Sequence, residues 1–386
     1  MRIAHALEMP VLEQGGVEVL VRTLIEHAPL EQTCYLLSPD KAVDLSASSI
    51  RGIENRHFQI TGENIDHDGI NQIVNWLKNN QIEICHFHLG GTFAWNARSW
   101  NECIITQCAK AGITCLTTNH QAINPFDATH DPRPLWRRLI SFGLRWPGKC
   151  RQLTSVQKEV HVSQHDLRIS QRLFPFHKGK FEHIYHSRLE GLQDITLTVT
   201  TRKPVILNLA TVASRKGQHV LAEAFAHIAN DFPEWKLLLV GYHADAACVE
   251  KIRLIAQEHH LEERILLPGS STQGQHLLAE AGIYVQPSLL EGLGLSLQEA
   301  MLLGCACIGS NTGGIPELIH SEAVGALVEP GDAVALAVKL SAFLRDENLR
   351  LRLGKAARSA MVERGMTRSA MISSYQKVYQ RLSYEK

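Results

Sequence analysis

A chain of 386 residues is too long for one comfortable hydrophobic core and the right length for two domains of about 150 to 200 residues each. Hydrophobic residues make up 45% and charged residues 20%, with 39 Lys and Arg against 39 Asp and Glu, which excludes a disordered polyelectrolyte and gives no basic excess pointing to nucleic acid. The apolar run at 1–7 is too short for a secretory leader and no stretch approaches the roughly 18 apolar residues of a membrane span, so we expect a cytoplasmic protein.

In chain order, short apolar runs at 2–7, 33–37, 83–87, 113–118 and 160–162 read as strands of the first half, with a helix over 69–77 for which Asp66 is a suitable N-cap. The second half repeats the pattern at 205–209, 237–241, 265–267, 282–285 and 306–309, each run followed by a helical segment. Buried strands alternating with helices dictate parallel sheets covered on both faces. The expected fold class is therefore α/β, with two doubly wound, Rossmann-like domains facing across a cleft. The pattern breaks at 187–203, where Gly191 and the Thr-rich run 196–201 precede Pro204, giving domains at 1–190 and 203–366. In the remaining 367–386, Met371, Tyr375, Val378, Tyr379 and Leu382 fall at helical spacing, and we expect this helix to cross back onto the first domain.

Nine cysteines (34, 85, 103, 108, 115, 150, 248, 305 and 307) include no C-x-x-C pair and several sit inside apolar runs, as buried reduced thiols do. His86 and His88 would share one face of a strand and His259 adjoins His260, but no carboxylate or cysteine accompanies them, so no metal is expected there. Asp66-His67-Asp68 spells a D-x-D metal motif but begins a helix instead of ending a strand. We expect no metal and no cofactor.

The most informative stretch runs from Pro287 to Ala300. It leaves the end of a strand, turns through Gly292, Leu293 and Gly294, and enters a helix at Leu295. Such a turn aims backbone N–H groups and the positive end of a helix dipole at an anion, which suits a diphosphate. Glu291 in the turn and Glu299 two helical turns further on can grip hydroxyl pairs at two ends of a ligand. Arg215 and Lys216 follow the first strand of the same domain, on the same carboxyl edge of the sheet, where they would neutralise charge building on a leaving diphosphate.

These residues resemble the retaining GT-B transferases called glycosyltransferase family four. The Glu291–Glu299 spacing matches that family's Glu-x7-Glu motif with its flanks Pro287-Ser288 and Glu299-Ala300, and the likeness extends to Lys216-Gly217, Val240-Gly241, Asn311-Thr312-Gly313-Gly314-Ile315-Pro316-Glu317 and Glu329-Pro330-Gly331-Asp332. In the first half it is thinner, at Gly15-Gly16-Val17-Glu18 and Thr118-Asn119-His120. The resemblance implies transfer of a sugar from a nucleotide diphosphate donor, a UDP-sugar before GDP-mannose, to a glycan or lipid-linked acceptor in bacterial surface polysaccharide or glycoconjugate synthesis, without a metal. It implies His120, Lys216 and Glu291 as catalytic residues. The donor-side set is Gly15, Gly16, Arg215, Lys216, Gly241, Leu267, Glu291, Gly292, Leu293, Gly294, Leu295 and Glu299. The chain departs from the family at Ala210-Thr211, where many members have Gly-Arg; Arg215 offers the missing charge. A non-catalytic subunit of the same fold and a nucleotide-sugar epimerase are the rival readings.

One segment stands apart. Residues 132–158 hold seven basic and no acidic side chains, interleaved with Leu135, Trp136, Leu139, Ile140, Phe142, Leu144 and Trp146. It fits either peripheral contact with an anionic membrane at its inner face or a helix packed on the sheet with basic residues outward, and the second reading is preferred.

Overall fold

A computed structural model describes residues 1–7, 16–27, 34–38, 53–57, 67–89, 104–122, 124–126, 133–191, 194 and 202–384. Asp66 of the expected N-cap and D-x-D lies outside them. The chain divides into two units, one made of Met1–Arg188 with Ser369–Lys386, the other of Leu189–Arg368.

The first unit carries β1 (Ile3–Ala6), α1 (Gly16–His27), β2 (Cys34–Ser38), β3 (Ile53–His57), α2 (His67–Asn79), β4 (Ile84–Leu89), α3 (Ile104–Lys110), β5 (Thr114–Asn119), α4 (Leu135–Ser155), β6 (Lys158–His161), α5 (Gln164–Leu173) and β7 (Phe181–His183). Its seven strands form an all-parallel sheet in the order β3-β2-β1-β4-β5-β6-β7. The second unit carries β8 (Lys203–Leu209), α6 (Gln218–Ile228), β9 (Lys236–Val240), α7 (Ala246–Glu258), β10 (Ile265–Gly269), α8 (Gly274–Glu280), β11 (Ala281–Gln286), α9 (Leu295–Leu302), β12 (Ala306–Ser310), α10 (Ile315–Leu318), β13 (Ala326–Val328), α11 (Ala333–Arg345) and α12 (Glu347–Glu363). Here too every pair is parallel, in the order β10-β9-β8-β11-β12-β13. The final helix, α13 (Arg368–Tyr384), falls almost wholly within the first unit.

In both sheets the order reverses beside the first strand, between β1 and β4 and between β8 and β11. Loops leaving two such neighbours run to opposite faces of the sheet and open a crevice at their carboxyl ends, the place where doubly wound domains take ligands. Arg215 and Lys216 leave β8, and Glu291 to Gly294 leave β11, so the topology alone brings the two sequence motifs together.

Alternation along the strands gives the first sheet two unlike faces. On one, Ala4, Ala6, Cys85, Phe87 and Cys115 pack with Ile73, Ile105, Cys108 and Leu153 of α2, α3 and α4. On the other, His5, His86, His88 and Thr118 are buried, and Tyr375 and Tyr379 of α13 reach them. Three strands escaped sequence reading, and all lie at sheet edges: β3 (Ile-Glu-Asn-Arg-His), β7 (Phe-Glu-His) and β13 (Ala-Leu-Val). An edge strand is short and paired on one side only, so it lacks the continuous apolar run that marks a central parallel strand.

The preferred packing of the basic segment, with its basic residues outward, fails at two of the seven. In α4, Arg138 and Lys149 are buried, Lys149 in an ion pair with the equally buried Glu159 at 2.5 Å, whereas Leu135, Trp136, Leu139, Ile140 and Leu144 are exposed. The helix is anchored through Lys149, Gln152 and Leu153 near its C-terminal end, and its N-terminal half presents apolar side chains among Arg133, Arg137 and Arg145, all exposed. No helix among the described residues is long and apolar enough to cross a membrane.

Candidate active site

The loop after β8 is built to hold two cations in place. Gln218, fully buried at the start of α6, accepts from Ala213 N–H and donates to the Thr211 carbonyl, pinning the loop at both ends of its first turn. Ser214 N–H and Oγ both donate to Asp245, which also caps α7 by accepting from Cys248 N–H. The 3-10 turn 214–216 follows and ends at Gly217, whose φ of 68° is left-handed. A Cβ on Gly217 would stand 2.0 Å from the Pro287 carbonyl oxygen, so only glycine lets this loop lie against the one leaving β11. The Arg215 carbonyl completes the junction by accepting from Leu289 N–H at 2.9 Å.

Lys216 Nζ then reaches across to Glu291 Oε2 at 2.7 Å, with both side chains nearly buried. The same oxygen accepts from Gln286 Nε2 and Ser288 Oγ, each at 3.0 Å. Gln286 is itself fixed: its Nε2 also donates to Ser288 Oγ at 2.8 Å, and its Oε1 accepts from the Tyr284 phenol at 2.5 Å. Burial works to raise the Glu291 carboxyl, but the Lys216 ammonium, helped by Arg215 and the Ser288 hydroxyl, outweighs it and holds the carboxyl below its usual range. Glu291 is thus an ionised carboxylate with one oxygen saturated by donors.

Beyond Glu291 the chain turns through Gly292, Leu293 and Gly294 into α9. The N–H groups of these three residues make no hydrogen bond to any described residue, and they precede the positive end of the helix dipole. Gly313 packs its backbone against this turn; with φ 56° and a Cβ that would lie 1.8 Å from the Glu291 carbonyl oxygen, it too must be glycine, and the next residue's N–H donates to the Gly292 carbonyl at 3.0 Å. Leu295 opens α9 and Glu299 lies on it, 1% exposed. Gly241 follows β9 next to Ala210, and Leu267 in the edge strand β10 packs against the unit's apolar core.

The remaining predicted site residues lie in the first unit. Gly15 is outside the described residues, and Gly16 opens α1. His120 directly follows β5, its ring 5.8 Å from that of His88 and 5.4 Å from that of His186; burial lowers it to about 4, so it is neutral at neutral pH, and its buried Nε2 has no partner among the described residues.

Residues 195–360 match the model of the family described as glycosyl transferases group 1. This stretch, which lies within the second unit, is similar to that family. Among curated relatives the chain is 31% identical over 247 residues to the N-acetyl-alpha-D-glucosaminyl L-malate synthase of Bacillus anthracis, and 29% identical over 146 residues to the putative colanic acid biosynthesis glycosyltransferase WcaL of Escherichia coli K12. These matches take in 64% and 36% of this chain and span 63% and 35% of the relatives' own lengths. Two solved structures share the fold over essentially their full lengths: a glycosyltransferase of Rickettsia africae (TM-score 0.76, 19% identity, 100% of this chain and 99% of that one) and Anabaena Alr3699/HepE in complex with UDP-glucose (TM-score 0.73, 16% identity, 99% and 100%). The fold is therefore GT-B.

Sequence reading missed the supports of the Glu291 motif. Gln286, Asp245 and Tyr284 belong to no pattern quoted above, yet the first two touch Glu291 and the phosphate-loop candidate directly. A polar residue closing the apolar strand Ala-Gly-Ile-Tyr-Val-Gln was the available signal for Gln286.

Proposed function

We propose that the chain is a retaining, metal-independent glycosyltransferase that moves a sugar from a nucleotide diphosphate, UDP before GDP, to a glycan or lipid-linked acceptor in bacterial surface polysaccharide or glycoconjugate synthesis. The observation that carries this reading is the junction of the Lys216–Glu291 pair with three N–H groups, just before α9, that have no partner among the described residues, an anion site beside a fixed carboxylate. The polysaccharide setting draws on the relative named for colanic acid biosynthesis, and the UDP preference on the neighbour solved with UDP-glucose.

On this reading the bond between the anomeric carbon and the diphosphate oxygen breaks as the acceptor hydroxyl attacks from the same face. The leaving diphosphate receives the acceptor proton, so no carboxylate nucleophile is needed. Lys216 and Arg215 neutralise the charge that accumulates on the diphosphate, work that a divalent ion does in other transferases. The N–H groups of residues 292–294 hold the diphosphate or the sugar, Glu291 Oε1 accepts from a sugar hydroxyl, and Glu299 grips the ribose. In the first unit, neutral His120 orients the transferred ring, and Gly15 and Gly16 approach the donor phosphates and the acceptor.

The exposed half of α4 supplies the meeting place with the acceptor. Leu135, Trp136, Leu139, Ile140 and Leu144 stand 39 to 65% exposed among arginines, with no acidic residue from 132 to 158, a composition that enters the headgroup layer of an anionic bilayer. Release of UDP from a UDP-sugar in the presence of a lipid-linked saccharide, unaffected by EDTA and lost in Lys216→Ala, tests the proposal. Turnover without acceptor to an isomeric nucleotide sugar would replace it with the epimerase reading.

A further inference from the structure

The donor chemistry leaves the polar face of the first sheet unused. His5 on β1 pairs in register with His86 on β4, and His88 follows two residues on, so three imidazoles from two neighbouring strands share one face. One ring nitrogen of each lies within 4.8 Å of the others, and His5 Nδ1 and His88 Nε2 are only 3.1 Å apart. We propose that His5, His86 and His88 are the ligands of a divalent transition-metal ion, Zn²⁺ foremost.

The chemistry of the donors selects the ion. Three neutral imidazoles with no carboxylate suit Zn²⁺, Co²⁺ or Ni²⁺ and disfavour Mg²⁺ and Ca²⁺, which take oxygen ligands. Nitrogens bonded at about 2.0–2.1 Å to a tetrahedral ion stand roughly 3.3 Å apart. The His5–His88 pair stands close to that separation, and the His86 nitrogen, within 4.8 Å of both, has to move inward to close the third side. A water completes the fourth position, as it does where three histidines bind zinc.

One of the three ligands has outer partners in place. His86 Nδ1 meets Tyr379 Oη at 2.8 Å and His86 Nε2 meets Thr118 Oγ1 at 2.7 Å. A neutral imidazole has one N–H and one lone pair. The hydroxyl that accepts from the N–H stays as the partner that orients a ligating histidine, and the other gives way to the ion. Thr118 keeps its bond to Tyr375 at 2.9 Å, and Tyr375 its bond to His186 at 2.7 Å. His88 Nδ1 is buried with no partner among the described residues. His5 Nδ1 and His88 Nε2 share one hydrogen-bonding proton, which an ion bound between them would displace. The ion would clamp β1 to β4 at the reversal point of the sheet and, through the hydroxyls of Tyr375 and Tyr379, fasten α13 to that face.

With the imidazoles at most 2% exposed, the ion must enter as the chain folds. The full chain is therefore produced in medium supplemented with Co²⁺ or Zn²⁺, purified, and assayed for bound metal and for visible absorption. We expect about one ion per chain, the intense visible bands of tetrahedral Co²⁺, and a higher Tm than that of chain grown without the metal. His5→Asn and His88→Asn should each lose the ion, while His259→Asn/His260→Asn should keep it. Wild-type protein that emerges metal-free, or metal that persists in both His5→Asn and His88→Asn, would overturn the proposal. The wild-type measurement stands even where a variant fails to fold. The result is independent of any donor or acceptor.

Discussion

Lys216 Nζ and Glu291 Oε2 are 2.7 Å apart, and Gln286 and Ser288 donate to that same oxygen, whereas Glu291 Oε1 makes no hydrogen bond to any described residue. The carboxylate is held by one oxygen and presents the other. Lys216→Ala removes the cation beside the diphosphate and should lower kcat by about 10²- to 10³-fold, equivalent to roughly 3–4 kcal/mol of lost charge stabilisation. Steady-state UDP release, with Tm as a folding control, checks this.

Gln286→Leu should act more gently. It takes one of three donors from Glu291 Oε2 and leaves the ion pair, a loss on the order of 1 kcal/mol, or about fivefold in kcat/KM. Tyr284→Phe releases the opposite end of the Gln286 amide and should cost less than Gln286→Leu, because Ser288 and Glu291 still orient the amide nitrogen. Parallel assays of the two variants test the ranking.

Gly217→Ala places a methyl group 2.0 Å from the Pro287 carbonyl oxygen at φ 68°. The two loops must separate, so stability should fall by at least about 1–3 kcal/mol and nucleotide affinity should fall with it. Thermal unfolding with and without nucleotide distinguishes this from a surface glycine change, in which the ligand-induced rise in Tm would be intact.

Acid should unfasten the first unit. His5 is lowered to about 3 and His120 to about 4, while His86, His88 and His186 lie well below their usual range, all through burial. In the unfolded chain these imidazoles titrate near 6.5, so between about pH 4 and 6.5 the unfolded state binds more protons than the folded one. Stability should be flat above about pH 6.5 and fall steadily below it. Tm measured from pH 8 to pH 4 checks the slope, and His120→Asn should make it shallower.

Replacing Trp136, Ile140 and Leu144 together by Ser should abolish binding to vesicles containing phosphatidylglycerol while leaving Tm within a few degrees, since the three are 56 to 65% exposed. Flotation with neutral phosphatidylcholine vesicles separates the electrostatic part from the apolar part.

Much of the second unit was legible because its strands are central and apolar and its motif residues lie at strand ends. Glu291, Lys216 and the glycines between 292 and 294 could be joined on paper once the strand order placed β8 beside β11. What could not be read was pairing at a distance. Nothing local links Gln286 to Glu291's Oε2 or Asp245 to Ser214, because each bond depends on how two loops settle. His86 and His88 were read as lacking a partner because the third imidazole, His5, is 81 residues away along the chain and meets them only through parallel pairing. For α4 the composition was clear and its orientation was not: Lys149 has the same helical periodicity as the exposed arginines, and only its meeting with Glu159 turns it inward.

The central claim is that the loops after β8 and β11 bind a nucleoside diphosphate. Calorimetric titration of the purified chain with UDP, GDP and ADP, with and without EDTA, and of Glu299→Ala alongside, tests it most directly. One nucleotide should bind, UDP first, with an affinity that survives EDTA and drops about 10- to 100-fold in Glu299→Ala as the ribose loses a hydrogen-bond acceptor. Absence of binding by all three in folded protein would contradict the claim and leave a GT-B subunit without a donor.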